Sequence, residues 1–174
     1  MTWSDTVLAT LKANNVRLLA YVPDNVLAPL INGAGADNDF ILLAATREDE
    51  AVGAVAGAYM AGLRGVAMMQ TSGFALIANA LASLIVPYQI PALLLISERG
   101  TMGEFNIGQV NIARTMRPTL DALGILHHTL TEASTLPFVL DSSIRQAFTT
   151  QAPVAFILSP LLTGGNPVSR AQLI

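Results

Sequence analysis

Apolar residues in this chain follow two spacings that take turns from the first residues to Leu158. Short, nearly unbroken apolar runs at 17–22, 40–46, 66–70, 91–97, 125–130 and 154–158 have the length and composition of strands buried on both faces. Between them lie stretches with helical spacing at 5–14, 26–31, 47–62, from the segment after Gly73 to about Val86, up to about Leu123, and 134–149. Pro23-Asp24-Asn25 reads as a turn, residues 32–39 as a glycine-rich loop, and Thr71-Ser72-Gly73 as a loop after the third strand. Strands that alternate with helices predict an α/β fold, a doubly wound six-stranded, mostly parallel sheet with helices on both faces. Residues 1–163 are expected to form one domain, with 164–174 as a C-terminal tail.

Composition sharpens this. Apolar residues make up 52% of the 174 and charged residues only 12%, against a usual charged share of about 25%. Part of the surface is therefore expected to be covered, by a partner or by self-association. A net charge of −3 with no cluster of Arg or Lys argues against nucleic acid. The longest apolar stretch, 74–86, is too short to span a bilayer, so no membrane association is expected. The first residues lack the basic start and apolar block of a signal peptide, and the chain has no cysteine, which together fit a cytoplasmic protein.

Candidate chemistry gathers at strand ends, where a parallel sheet presents its ligands. Glu48 stands where the second strand hands over to a helix of small residues, Ala51 to Gly62. Glu48, Asp49 and Glu50 can offset the positive end of the helix dipole, and Thr46 can cap it. Gly53 and Gly57 within that helix call for a compensating close contact, either with a strand or with a second subunit. Asp24 or Asn25 can cap the helix after the first turn. Arg99 can bind an anion bidentately or pair with Glu98 or Glu104. His127 and His128 lie inside a strand, where alternation buries one and exposes the other. Gly33 to Asn38 precedes a strand, unlike a phosphate-binding loop.

Three of these segments carry a resemblance. Glu48 with Ala51, Val52 and Gly57, the run Gln70-Thr71-Ser72-Gly73-Phe74-Ala75-Leu76, and Ile96-Ser97-Glu98-Arg99-Gly100 resemble the pyrimidine-binding part of thiamine diphosphate-dependent 2-oxo acid decarboxylases of the sulfopyruvate and phosphonopyruvate group. The turn Pro23-Asp24-Asn25 is similar to their turn after the first strand. The resemblance implies that Glu48 activates the cofactor through its aminopyrimidine, with Ser72, Gly73 and Phe74 beside it. It implies that Asn25, Asp24 and Arg99 face the 2-oxo acid. Asp49 replaces Glu48 if Tyr59, instead of Gly57, anchors the match.

The chain departs from the group at Thr71, at Ala75-Leu76 and at Glu98, where asparagine, Gly-Asn and a histidine or aromatic residue are usual. The first two changes predict a more apolar cavity and an aliphatic or aromatic 2-oxo acid, and Glu98 counts against a sulfonate or phosphonate tail. The Gly-Asp-Gly segment that holds Mg²⁺ and the diphosphate in such enzymes does not occur in the sequence. A diphosphate-binding beta subunit that carries it is therefore implied. The implied reaction is non-oxidative decarboxylation to an aldehyde, with carboligation at the same site or a non-catalytic binding or regulatory module as alternatives.

Overall fold

A computed structural model describes residues 2–165. Six strands form one sheet: β1 (Val16–Tyr21), β2 (Ile41–Ala44), β3 (Arg64–Gln70), β4 (Leu93–Ser97), β5 (Leu126–Leu130) and β6 (Val154–Leu158). They lie in the order β2-β1-β3-β4-β6-β5, and every pair is parallel. The chain runs outward from β1 to β2, then returns past β1 to lay down β3 on its other side. That reversal opens a crevice at the carboxyl ends of β1 and β3, the place where parallel sheets bind ligands.

The helices are α1 (Trp3–Ala13), α2 (Ala28–Gly35), α3 (Glu48–Met60), α4 (Thr71–Phe74), α5 (Ala78–Ala80), α6 (Ile107–Ala122), α7 (Leu136–Thr150) and α8 (Pro160–Thr163). Two cores sandwich the sheet. On one face Val52 and Val55 of α3, Phe74, Ile77, Leu81 and Leu120 pack on Ala67, Leu94 and Ile157. On the other, Val7 and Leu11 of α1, Leu30 of α2, and Leu140 and Ile144 of α7 pack on Leu19, Met68 and Phe156. β3, β4 and β6 are almost wholly buried, which is why they read as continuous apolar runs. Among the described residues, no helix is long and apolar enough to cross a membrane.

Three local readings change. Residues 32–35 are helical, because α2 continues through Asn32-Gly33-Ala34-Gly35. At Gly33 α2 approaches α1 closely: an added Cβ would stand 2.7 Å from Leu8 Cδ1. Thr71-Ser72-Gly73 is the first turn of a helical stretch that starts directly after β3. That stretch is irregular, passing through a 3₁₀ turn at Ala75–Ile77 and a π turn at Leu81–Ile85. Thr46 does not cap α3 with its side chain; Arg47 is the N-cap residue and makes no side-chain cap bond. The expected tail lies outside the described residues except for Gly164 and Gly165.

Gly53 and Gly57 are exposed, and a Cβ at either would meet nothing within 4 Å. Contact with the chain's own strands therefore does not explain them. The segment from Ala51 to Ser97 carries very little charge, with Arg64 as its one charged residue. Met60, Leu76 and Tyr88 are exposed within the same segment.

Candidate active site

The three acids that open α3 do different work. Glu50 accepts the Thr46 backbone N–H at 2.7 Å, and Asp49 pairs with Arg47 at 3.0 Å in the open. These two account for capping and charge at the helix start. Glu48 is turned inward and only 8% exposed. Among the described residues its carboxylate accepts no hydrogen bond and makes no ion pair, which leaves it free to meet a donor from outside the chain.

Its neighbour is Gly73 of α4. A Cβ built there would lie 2.2 Å from Glu48 Oε1 and 2.5 Å from its Cγ and Cδ. The carboxyl group thus reaches from the start of α3 to the carboxyl end of β3 and uses space that only glycine leaves open. Ser72 beside it is half-buried. Phe74 is 1% exposed within the core, so its ring supports α4 from beneath. Leu76 is 51% exposed.

At the β1/β3 crevice lies a cavity of about 500 Å³, whose walls include Tyr21, Asp24, Asn25, Asn32, Gln70 and Arg99. It brings together the three substrate candidates Asp24, Asn25 and Arg99; Glu48 is not part of its wall. Its lining is mixed, since Pro23, Ala28 and Ile31 supply apolar surface beside the hydrogen-bonding side chains, and Phe74 and Leu76 are not part of it.

Fixed contacts hold this wall. Asp24 Oδ1 accepts the N–H groups of Val26 and Leu27 and the Ser97 hydroxyl, the last at 2.9 Å, tying the β1 turn to the end of β4. Thr71 Oγ1 accepts the Arg99 N–H at 2.9 Å and donates to the Ser97 carbonyl, tying β3 to β4. Arg99 donates to both oxygens of Glu104 at 2.7 and 2.9 Å, and Gly100 and Asn106 N–H groups complete the cage. The guanidinium holds the Glu104 carboxyl well below the usual range, at about 2. The pair is buried, with side chains 11% and 4% exposed, unlike an ordinary surface pair.

Glu98 faces another way and meets Arg117 of α6 at 2.7 Å. His127 and His128 are both half-buried and point to opposite faces of the edge strand β5. His127 meets Asp121 of α6, and His128 meets Ser143 of α7 at 2.9 Å. Burial, then the neighbouring His127, pushes the His128 pKa down. Among the described residues, no group of three or more His, Cys, Asp or Glu is placed to hold a metal ion.

Sequence reasoning missed Tyr21, Asn32 and Gln70. Tyr21 and Gln70 are the last residues of their strands, a position that marks ligand contacts in parallel sheets and was legible in principle. Asn32 enters the wall only because α2 extends past the predicted helix end.

The chain is 38% identical over 125 residues to sulfopyruvate decarboxylase subunit alpha of Methanocaldococcus jannaschii, covering 72% of this chain and 74% of the relative. It belongs to the sulfopyruvate decarboxylase alpha-subunit family. A sulfopyruvate decarboxylase of Methanosarcina acetivorans is 31% identical over 159 residues, which cover 90% of this chain but 40% of that longer protein. A structure of 2-oxoglutarate:ferredoxin oxidoreductase from Magnetococcus marinus with 2-oxoglutarate, coenzyme A and succinyl-CoA bound shares the fold. Its TM-score is 0.71 at 15% identity, over 94% of this chain and 29% of that one. No protein-family model matches the chain.

Membership of this decarboxylase family gives the three strand-end segments a common setting. Glu48, Gly73 and the cavity belong to one edge of the family's sheet, the edge formed by the carboxyl ends of β1, β3 and β4.

Proposed function

We propose that this chain is the pyrimidine-binding subunit of a heteromeric, thiamine diphosphate-dependent decarboxylase that converts a 2-oxo acid to an aldehyde. The observation that carries the reading is Glu48: buried, without a partner of its own among the described residues, and seated against the gap left by Gly73. A carboxyl group so placed fits a ring nitrogen that shares a proton with it. Asp49 is a poorer candidate, since Arg47 already occupies it at the surface.

Bound thiamine diphosphate would supply the electron sink for the bond pair left behind by carbon dioxide. Glu48 would hold a proton at N1′ of the aminopyrimidine, and burial keeps water from competing for it. Gly73 lets Glu48 reach that position. Asn25 would donate its amide N–H to the substrate, on a turn fixed by the three hydrogen bonds to Asp24.

A second subunit is part of this reading. The exposed Gly53 and Gly57, the exposed Met60, Leu76 and Tyr88, and the scarcity of charge between Ala51 and Ser97 form a surface suited to a protein partner. That partner would carry Gly-Asp-Gly and hold Mg²⁺ with the diphosphate. The alpha-subunit name of the relatives and the greater length of the Methanosarcina acetivorans protein agree with such a division.

The test is calorimetric titration of thiamine diphosphate with Mg²⁺ into this chain alone and after mixing with a Gly-Asp-Gly subunit encoded beside it. Binding only in the mixture supports the shared site. Tight binding to the isolated chain, or none to a verified complex, contradicts it.

A further inference from the structure

A second cavity lies at the far end of α3 from Glu48. It holds about 300 Å³ and is lined by Tyr59, Met60, Leu84, Tyr88 and Ile90. α3 spans 13 residues, which sets the two ends roughly 18–20 Å apart. The lining carries no charged side chain and, its two phenol hydroxyls apart, no polar one. A volume at the lower limit of small-molecule sites, roughly 300–1,000 Å³, suits one bulky side chain better than a metabolite.

The cavity is built in advance of any occupant. Tyr59 is braced by Phe148 of α7, with ring centroids 6.5 Å apart, and the Arg64 guanidinium lies 4.2 Å over the same Phe148 ring. Ile90 is buried, and Leu84 packs against the core beneath. The opposite wall comes from the irregular stretch before β4. Leu84 belongs to the π turn Leu81–Ile85, the Ile90 N–H donates to the Ile85 carbonyl at 3.0 Å, and Gln89 takes a left-handed φ of 53°. A non-glycine residue in that region costs free energy, and such departures gather where a surface has a task. Here they accompany Tyr88, 71% exposed, at a rim shared with Met60, 80% exposed.

What covers the cavity follows from its place on α3. Gly53, Gly57 and Met60 are spaced i, i+4 and i+7, so they share one exposed face of the helix. Two of the three have no side chain, and a Cβ at either would meet nothing within 4 Å, so a neighbouring chain can lie close along this face. The face leads from the turn that bears Glu48 down to the cavity. A subunit that shares a cofactor with Glu48 at one end of α3 thereby arrives at the cavity at the other. We propose that the cavity is the anchor socket for the Gly-Asp-Gly subunit and is filled by one bulky apolar side chain of that subunit, aromatic or of leucine or methionine type. The proposal rests on the two-subunit reading above and adds to it the point of docking and the chemistry of what docks.

The test measures the affinity of the whole chain for the Gly-Asp-Gly subunit encoded beside it, by calorimetry or sedimentation. Met60→Glu should weaken the complex at least roughly a hundredfold and Tyr88→Ala roughly tenfold, because a few anchoring contacts carry most of an interface's energy. Both side chains are exposed in the free chain, so its melting temperature should stay level. Phe138→Glu removes an equally exposed apolar side chain from α7, on the opposite face of the sheet, and should leave the affinity unchanged. The chain has no cysteine, so Ala61→Cys can carry a single benzophenone beside Met60. It should cross-link to a segment of the partner that bears a bulky apolar residue. Unchanged affinity in Met60→Glu, an equal loss in Phe138→Glu, cross-links to a second copy of this chain, or no association of the native chain with that subunit would overturn the proposal. Assembly that depends on Met60 in a complex that decarboxylates no 2-oxo acid leaves the socket and removes the proposed activity. Decarboxylation by a complex that Met60→Glu forms with native affinity leaves the activity and removes the socket.

Discussion

Glu48 occupies the space that a side chain at Gly73 would need: the nearest approach of its Oε1 to an added Cβ is 2.2 Å. The two residues come from different βα connections, Glu48 from the one after β2 and Gly73 from the one after β3. A glycine in the first turn of a helix is otherwise unfavourable by about 1 kcal/mol relative to alanine. Its presence is accounted for by where it lets a carboxylate go.

Gly73→Ala should therefore separate folding from function. The colliding atoms belong to a flexible side chain, so Glu48 can swing away and the melting temperature should stay level or rise slightly. Thiamine diphosphate affinity in the complex should fall by roughly tenfold or more. Paired thermal denaturation and calorimetry check both halves.

The Arg99–Glu104 pair predicts an acid-sensitive loop. The Glu104 carboxyl is lowered from 4.5 to about 2 in the folded protein, so it binds fewer protons there than in the unfolded chain. Its contribution is present above pH 4.5 and is lost as pH falls toward 2. The full effect is of the order of 3 kcal/mol. Denaturant titrations across that range should show this loss in the native protein and not in Glu104→Gln, which starts out less stable.

His128 acts in the same direction at milder pH. Its folded pKa is pushed down by burial and by His127, so protonation favours the unfolded chain. Its stabilising effect is complete above the ordinary histidine value of 6.5 and declines as pH falls below it. Stability measured from pH 8 to 5 should show a slope that His128→Gln reduces.

Thr71→Val tests the tie between strand ends. Thr71 is 1% exposed and bridges the Arg99 N–H to the Ser97 carbonyl. Valine leaves the buried N–H without a partner, at a cost of about 1–3 kcal/mol. A loss below that range by chemical denaturation would mean the loop at 98–104 is held by Glu104 alone.

Much of the sheet was legible because β3, β4 and β6 are buried on both faces, and burial on both faces writes a continuous apolar run. The glycines misled. Gly33 and Gly73 read as loop residues by local preference, yet each sits in a helix where an added Cβ would crowd a residue distant in sequence, Leu8 in one case and Glu48 in the other. No local pattern contains such a contact. For the same reason part of the cavity wall was hidden: Tyr21, Asn32 and Gln70 come from three elements and meet only once α2 is longer than its periodicity suggests. Arg99 was legible as an anion binder or a paired side chain, and the structure gives it Glu104 as a buried partner.

The central claim is that Glu48 governs the proton on the cofactor's pyrimidine ring. Its most direct measurement is the rate of 2-oxo acid decarboxylation by the assembled, cofactor-loaded complex carrying Glu48→Gln, beside the native complex. The account predicts a fall in kcat of roughly a hundredfold or more with subunit assembly intact. Undiminished turnover in that variant would contradict it.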